Sequence, residues 1–114
     1  MEQFIAILRE PDGRADEHAE QKLIEHCQKW NDWFAKYAKA GNLLGGNALS
    51  LQGKMVRGGQ AKVLHEIHKV GTEIVGGYLQ LQAADLDQAV KIVQELPIYE
   101  FGGYAEVREF KIYR

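Results

Sequence analysis

The first apolar run of the chain, FIAIL at residues 4–8, shows no polar residue on either alternation. A strand that reads this way is covered on both faces, so it belongs in the middle of a sheet. A buried helical turn fits the same five residues, because so short a run carries no period of its own. As a central strand, FIAIL obliges the rest of the chain, or a second chain, to supply a cover on each side.

Pro11, Asp12 and Gly13 break the chain next. From Asp16 the period changes. Ala19, Leu23, Cys27, Trp30, Phe34, Tyr37 and Ala38 recur every three or four residues, and Trp33 widens the stripe. Lys22, Glu25, Lys29, Asp32, Lys36 and Lys39 take much of the opposite side. Glu25 with Lys29, and Asp32 with Lys36, stand acid before base at i,i+4, an arrangement that adds about 0.2–0.5 kcal/mol per pair to a helix. Gly41 supplies the left-handed C′ position that ends it. The aromatic stripe reads as core, with stacking of Trp30 and Trp33 on a ligand as the alternative. Cys27 lies on that stripe with no cation on its face, so it reads as a buried, inert thiol.

After Gly41, NLLGGNAL (residues 42–49) reads as a strand in which Gly45 and Gly46 mark a bulge or a close approach. Residues 53–71, GKMVRGGQAKVLHEIHKVG, read as two extended runs around Gly58-Gly59, a hairpin signal. EIVGGYLQLQ (73–82) alternates Tyr78, Gln80 and Gln82 against Leu79 and Leu81. A second helix lies in AADLDQAVKIVQELP (83–97), with Asp85 and Gln88 spaced as a capping box and Pro97 as the stop. Its apolar face is Leu86, Ala89, Val90, Val93 and Leu96. YAEVREFKIYR closes the chain as an alternating strand.

This order predicts an α+β fold, a ferredoxin-like βαββαβ with an extra hairpin. Its antiparallel sheet carries both helices on one face, in a single domain over residues 1–114. There is no third helix to cover the other face of FIAIL, and a second copy of the chain is the simplest supplier. A homodimer is therefore expected.

Composition narrows the partners. A formal net charge of −2, with no run of Lys or Arg, gives no basic field for nucleic acid. The single cysteine excludes an internal disulfide and a multi-cysteine zinc site. The apolar N-terminal run is too short for a membrane span or a signal peptide, so no membrane association and a cytoplasmic location are expected.

The densest group of catalytic residue types is in VLHEIHKVG, residues 63–71. If residues 62–70 form a strand, Val63, His65 and Ile67 face one way and Leu64, Glu66 and His68 the other, so the two histidines cannot hold one ion. Nor is His-Glu-x-His the zincin spacing. No metal and no cofactor are expected. His65, beside apolar neighbours, is a candidate general acid or base with Glu73 orienting it, or else a hydrogen-bonded histidine at a strand edge. Glu106 and Arg108 share a face of the last strand, where Arg108 can hold a carboxylate or simply pair with Glu106. Arg9, at the end of the first strand, is a weaker candidate for binding an anionic group.

EIVGGYLQLQAADLDQAVKIVQELP followed by AEVREF resembles the YCII-related family, in particular its DGPF branch. That branch carries a motif like D-G-P-F-x-E-T-K-E-x-x-G-G-Y, then a D-L-D-x-A helix start, a proline stop and a terminal E-V-R-P. Glu73, Gly76, Gly77 and Tyr78 match the end of the motif; Asp85, Leu86, Asp87 and Ala89 match the helix start. Pro97 matches the stop, and Glu106, Val107 and Arg108 the terminal strand. Upstream, WNDWFAKYAKAGNLLGGNAL resembles the family's first helix and following strand. The chain departs at the opening of the motif, where His65, Glu66, Ile67 and His68 stand for D-G-P-F, Val70 for the inner Glu and Thr72 for the Lys. YCII-type relatives also carry an aspartate-paired histidine on the first helix. Its position is Trp30 here, and His26 lies one turn earlier.

The resemblance implies a dimeric α/β barrel, two such units packed sheet to sheet, with a pocket between sheet and helices. The superfamily includes isomerases, lyases and dehalogenating enzymes that mostly act without a metal; most members of the DGPF branch have no established reaction, and some are encoded beside sigma factors, which suggests regulation. Two functions follow. One is binding of a small organic molecule, an anionic one included, with metal-independent lyase- or isomerase-like acid/base chemistry. Its residues would be His65 and Glu73, with Arg108, Glu106, Tyr78 and Arg9 holding the substrate. The other is a non-catalytic dimeric binding or regulatory module.

Overall fold

FIAIL lies within β1 (Glu2–Pro11), in a computed structural model that describes residues 1–11 and 19–112. The break at Asp12 and Gly13, the expected helix start at Asp16 and the last residues of the terminal strand lie outside the described residues. α1 (Glu20–Lys39), β2 (Leu43–Ala48), the hairpin β3 (Met55–Arg57) and β4 (Lys62–Leu64), β5 (Glu73–Ala83), α2 (Leu86–Gln94) and β6 (Tyr104–Glu109) follow in order. A 3-10 helix, Pro97–Phe101, separates α2 from β6.

The main sheet runs β2-β5-β1-β6, with every neighbouring pair antiparallel. This is the ferredoxin-like order, and β1 is central as its composition requires. Phe4, Ala6 and Leu8 are buried against Trp33 and Tyr37 of α1 and Ala89, Ile92 and Val93 of α2, so both helices lie on one face. Leu79, Leu81 and Ala83 of β5 complete that core. Ile5 and Ile7 take the other alternation and are only half-buried. The Cα envelope measures 50 × 44 × 18 Å, the depth of one sheet and one helix layer.

The element ends follow from local chemistry. α1 stops in a Schellman motif: Gly41, at φ 85°, donates its N–H to the Ala38 carbonyl, and Asn42 donates to that of Tyr37. Asp85 accepts from the Gln88 N–H at 2.8 Å, and the Gln88 side chain accepts from Ala84 at 2.6 Å. Such a cap contributes about 1 kcal/mol. β2 contains a register shift between Leu43 and Gly45, as the paired glycines imply.

Glu25 attracts Lys29 along α1 as its spacing implies, but the ion pair of Lys29 is with Glu100; Lys36 reaches Glu95 at 2.9 Å and not Asp32, and the two lysines tie α1 to the segment after α2. The expected burial of Cys27 does not hold: it is exposed, as are Leu23 and Ile24. An amphipathic stripe records which side chains could be buried, whereas burial requires atoms opposite. Of α1, Trp33 and Tyr37 are buried in the core and Trp30 packs against it.

Candidate functional site

A cavity of about 530 Å³ opens between α1 and the sheet. Its helix wall is Cys27, Trp30, Asn31 and Phe34, spaced three and four apart as one helical face requires. β1 contributes Leu8 and Glu10, β2 Gly46, Asn47 and Ala48, and β5 the stretch Gly76 to Leu79; Ile98 closes one side. The floor explains why the space exists. Gly46 pairs with inward-facing Leu79, and Gly77 with inward-facing Leu8, so two sheet positions that face α1 carry no side chain. A Cβ on Gly46 would stand 2.5 Å from the Tyr78 carbonyl oxygen, which keeps that position small.

Glu10 continues the inward alternation Phe4, Ala6, Leu8 and pairs with buried Ile74. A bulge between Leu8 and Arg9 and the side-chain-free Gly76 let its carboxyl group lie across the β5 backbone. Tyr78 pairs with Ile7, which places its ring on the sheet face away from the helices. The register therefore gives Tyr78 to the cavity wall through its main chain.

The other residues singled out from the sequence fall elsewhere. Register puts Arg9, Tyr104, Glu106 and Arg108 on the helix-free face of the sheet. There Arg9 and Arg108 approach Glu106 at 3.8 and 4.0 Å. The Glu73 carboxylate accepts a hydrogen bond from Tyr104, and this holds the phenol above its ordinary range. Arg9 and Glu73 also line a second cleft of about 360 Å³ with Ser50 and Gly53 before the β3–β4 hairpin and Ile67 and His68 after it. β4 ends at Leu64, so strand alternation does not extend to His65 or His68. His65 is exposed in the bend that follows. The structure does not bring His65, Glu73 and Arg108 to one cavity. Among the described residues, no group of three His, Cys, Asp or Glu side chains is placed to hold a metal ion.

His26 is the histidine with the most developed surroundings. Its Nδ1 lies 2.9 Å from Glu100 Oε2, and its Nε2 accepts from the Trp30 indole N–H at 3.0 Å. The Phe101 ring lies 4.4 Å away, centroid to centroid. These partners fix the tautomer with its proton on Nδ1 and occupy the Nε2 lone pair that a general base would use. His26 is therefore a clasp: it holds α1 to the 3-10 helix and orients Trp30 on the cavity wall. Only the i,i+4 spacing of His26 and Trp30 was visible in sequence, because Glu100 is remote in the chain.

The same clasp predicts a pH dependence. The His26 hydrogen bond first, then that of Lys29, lowers the Glu100 carboxyl below its ordinary value of 4.5. A depressed carboxylate contributes stability that is whole above the unfolded value and is lost as pH falls through the folded one. Thermal melts of Glu100→Gln and the parent chain are expected to differ at pH 7 and to converge as the pH falls below 4.5 and through the lowered Glu100 value. A difference unchanged at the lower pH would remove this contribution.

The family model for the YCII-related domain matches residues 4–111 of the chain. No curated protein matches it in sequence. Among solved structures, it is similar to the 5-chloro-2-hydroxyhydroquinone dehydrochlorinase TftG from Burkholderia phenoliruptrix AC1100, in complex with 2,5-dihydroxybenzoquinone. The TM-score is 0.55 at 14% identity, over 97% of this chain and 94% of that one, a likeness of fold. No helix among the described residues is long and apolar enough to cross a membrane.

Proposed function

The chain belongs to the YCII-related domain family, and we propose that it binds a small organic molecule in the cavity between α1 and the sheet, as a homodimer. The observation that carries the binding site is the cavity itself. Its volume of about 530 Å³ falls within the 300–1,000 Å³ of small-molecule sites, and its walls are mostly apolar and aromatic. Glycines on its floor and the clasped Trp30 make the space a property of the fold. The similar structure of TftG, with 2,5-dihydroxybenzoquinone bound, supports a ligand of that size and flatness.

The dimer is supported by the part of the sheet face that neither helices nor loops cover. Ile5, Ile7, Tyr78 and Tyr104 lie there, with the Glu106 and Arg108 pair beside them. Sheet-to-sheet packing would bury this apolar centre at the usual spacing of about 10 Å. The same placement favours a second reading, a binding or regulatory module without chemistry of its own. His65 and Arg108, expected to act on a substrate, lie outside the cavity lining.

NMR tests the binding reading, because the two indoles have different surroundings. Trp30 lines the cavity, whereas Trp33 is buried and donates to the Ile92 carbonyl at 3.1 Å. Titration with p-cresol is expected to move the Trp30 indole and Asn31 amide signals and leave Trp33 in place. Shifts confined to other surfaces, or none up to the solubility limit, would contradict the assignment.

A further inference from the structure

Glu10 is the only charged side chain among the described residues that line the cavity, and no described residue gives it a hydrogen bond or an ion pair. We infer that Glu10 is the polar anchor of the site and selects a flat ligand whose polar end is a hydrogen-bond donor, a hydroxyl or an ammonium, over one that ends in an anion. This inference rests on the cavity being the binding site.

The argument starts from position. Glu10 continues the inward alternation of β1, where Phe4, Ala6 and Leu8 precede it in the core. A carboxylate at that place faces the cavity, where a donor on a ligand can form a charge-assisted hydrogen bond with it. Its seat is Gly76: a Cβ at that position would stand 2.7 Å from Glu10 Cδ and 3.1 Å from Cγ. Gly76 does not have a positive φ, so the backbone conformation itself does not demand glycine. A side chain at 76 would instead displace the flexible end of Glu10 from the strand.

The opposite wall is aromatic. The Trp30 and Phe34 rings lie 5.6 Å apart at an interplanar angle of 33°. Aromatic surface on one side and, among the described residues, a single carboxylate on the other suit a flat body with a donor at its end. Arg9 and Arg108, the two arginines of the main sheet, sit on its far face. Among the described lining residues none balances a ligand carboxylate facing Glu10, so like charges would meet.

Binding of p-cresol, benzylamine, 4-methylanisole and benzoate to the full chain tests this, with Glu10→Gln and Gly76→Ala as variants. The parent chain is expected to bind p-cresol and benzylamine at least about tenfold more tightly than the other two, the size of a charge-assisted hydrogen bond. Glu10→Gln keeps the side-chain volume and is expected to cost benzylamine about tenfold while tightening benzoate. Gly76→Ala is expected to shift both ligands in the same directions by displacing the carboxyl group. If it does not fold, Glu10→Gln alone decides. Equal binding of all four probes, or an order unchanged in Glu10→Gln, overturns the role of Glu10 and leaves the cavity reading standing. If no probe binds, the cavity reading falls, and the role of Glu10 with it.

Discussion

Phe4→Ala is expected to remove about 3–5 kcal/mol of folding stability, the usual cost of deleting a buried phenylalanine. Phe4 is completely buried, lies on the central strand and pairs across the sheet with Leu81 on one side and Glu109 on the other. Both helices pack over the core it belongs to, so collapse of the void would have to move several elements at once. Domains of this size are stable by about 5–15 kcal/mol, and the loss would therefore be a large share of the total. Urea unfolding measures it as a lower midpoint at unchanged slope. A loss below about 1 kcal/mol would mean that the site is not closed as described.

Ile7→Asp separates the two faces of the same strand. Ile7 neighbours fully buried Ala6 in sequence yet faces away from the helices, opposite Tyr78 and Glu106. In a two-fold dimer packed through this face the substitution appears twice, and each unpaired carboxylate costs at least about 2 kcal/mol on burial. The dimer dissociation constant is expected to rise by more than about 1,000-fold, while helical circular dichroism stays that of the parent. Light scattering reads the result directly. A parent chain that is already monomeric at micromolar concentration would sink the proposed dimer.

These two substitutions show what the sequence conveyed. FIAIL has two apolar alternations, which require a central strand and a cover on each side; the helices supply one cover. Gly41, Asp85, Gln88 and Pro97 act through local backbone chemistry, so their roles were legible residue by residue. The 3-10 helix after Pro97 was not, because five residues carry too little periodicity to separate a tight helix from a loop.

The site was harder to read because its defining features are absences. Cys27, Trp30 and Phe34 form the same stripe whether the sheet opposite has side chains or glycines. A buried Cys27 was the natural expectation until Gly46 and Gly77 proved to lie beneath that face. Glu10 did carry a signal: an acid at the inward position after Phe4, Ala6 and Leu8 contradicts the burial pattern of its strand. His65 drew attention as a reactive residue type, but β4 stops one residue before it. Lys29 and Lys36 pair with Glu100 and Glu95, which lie more than fifty residues away, and no helical spacing rule anticipates such partners.

Cys27 offers the most direct measurement of whether the cavity binds ligand. It is the only cysteine in the chain, it is exposed, and it lies on the cavity wall. Its rate of reaction with a disulfide reagent such as dithiobis(nitrobenzoate) therefore reports access to that wall alone. With p-cresol present, the rate is expected to fall in proportion to occupancy and to parallel the movement of the Trp30 signal. A rate that stays constant up to the solubility limit of p-cresol, in a folded protein, would contradict binding in this cavity.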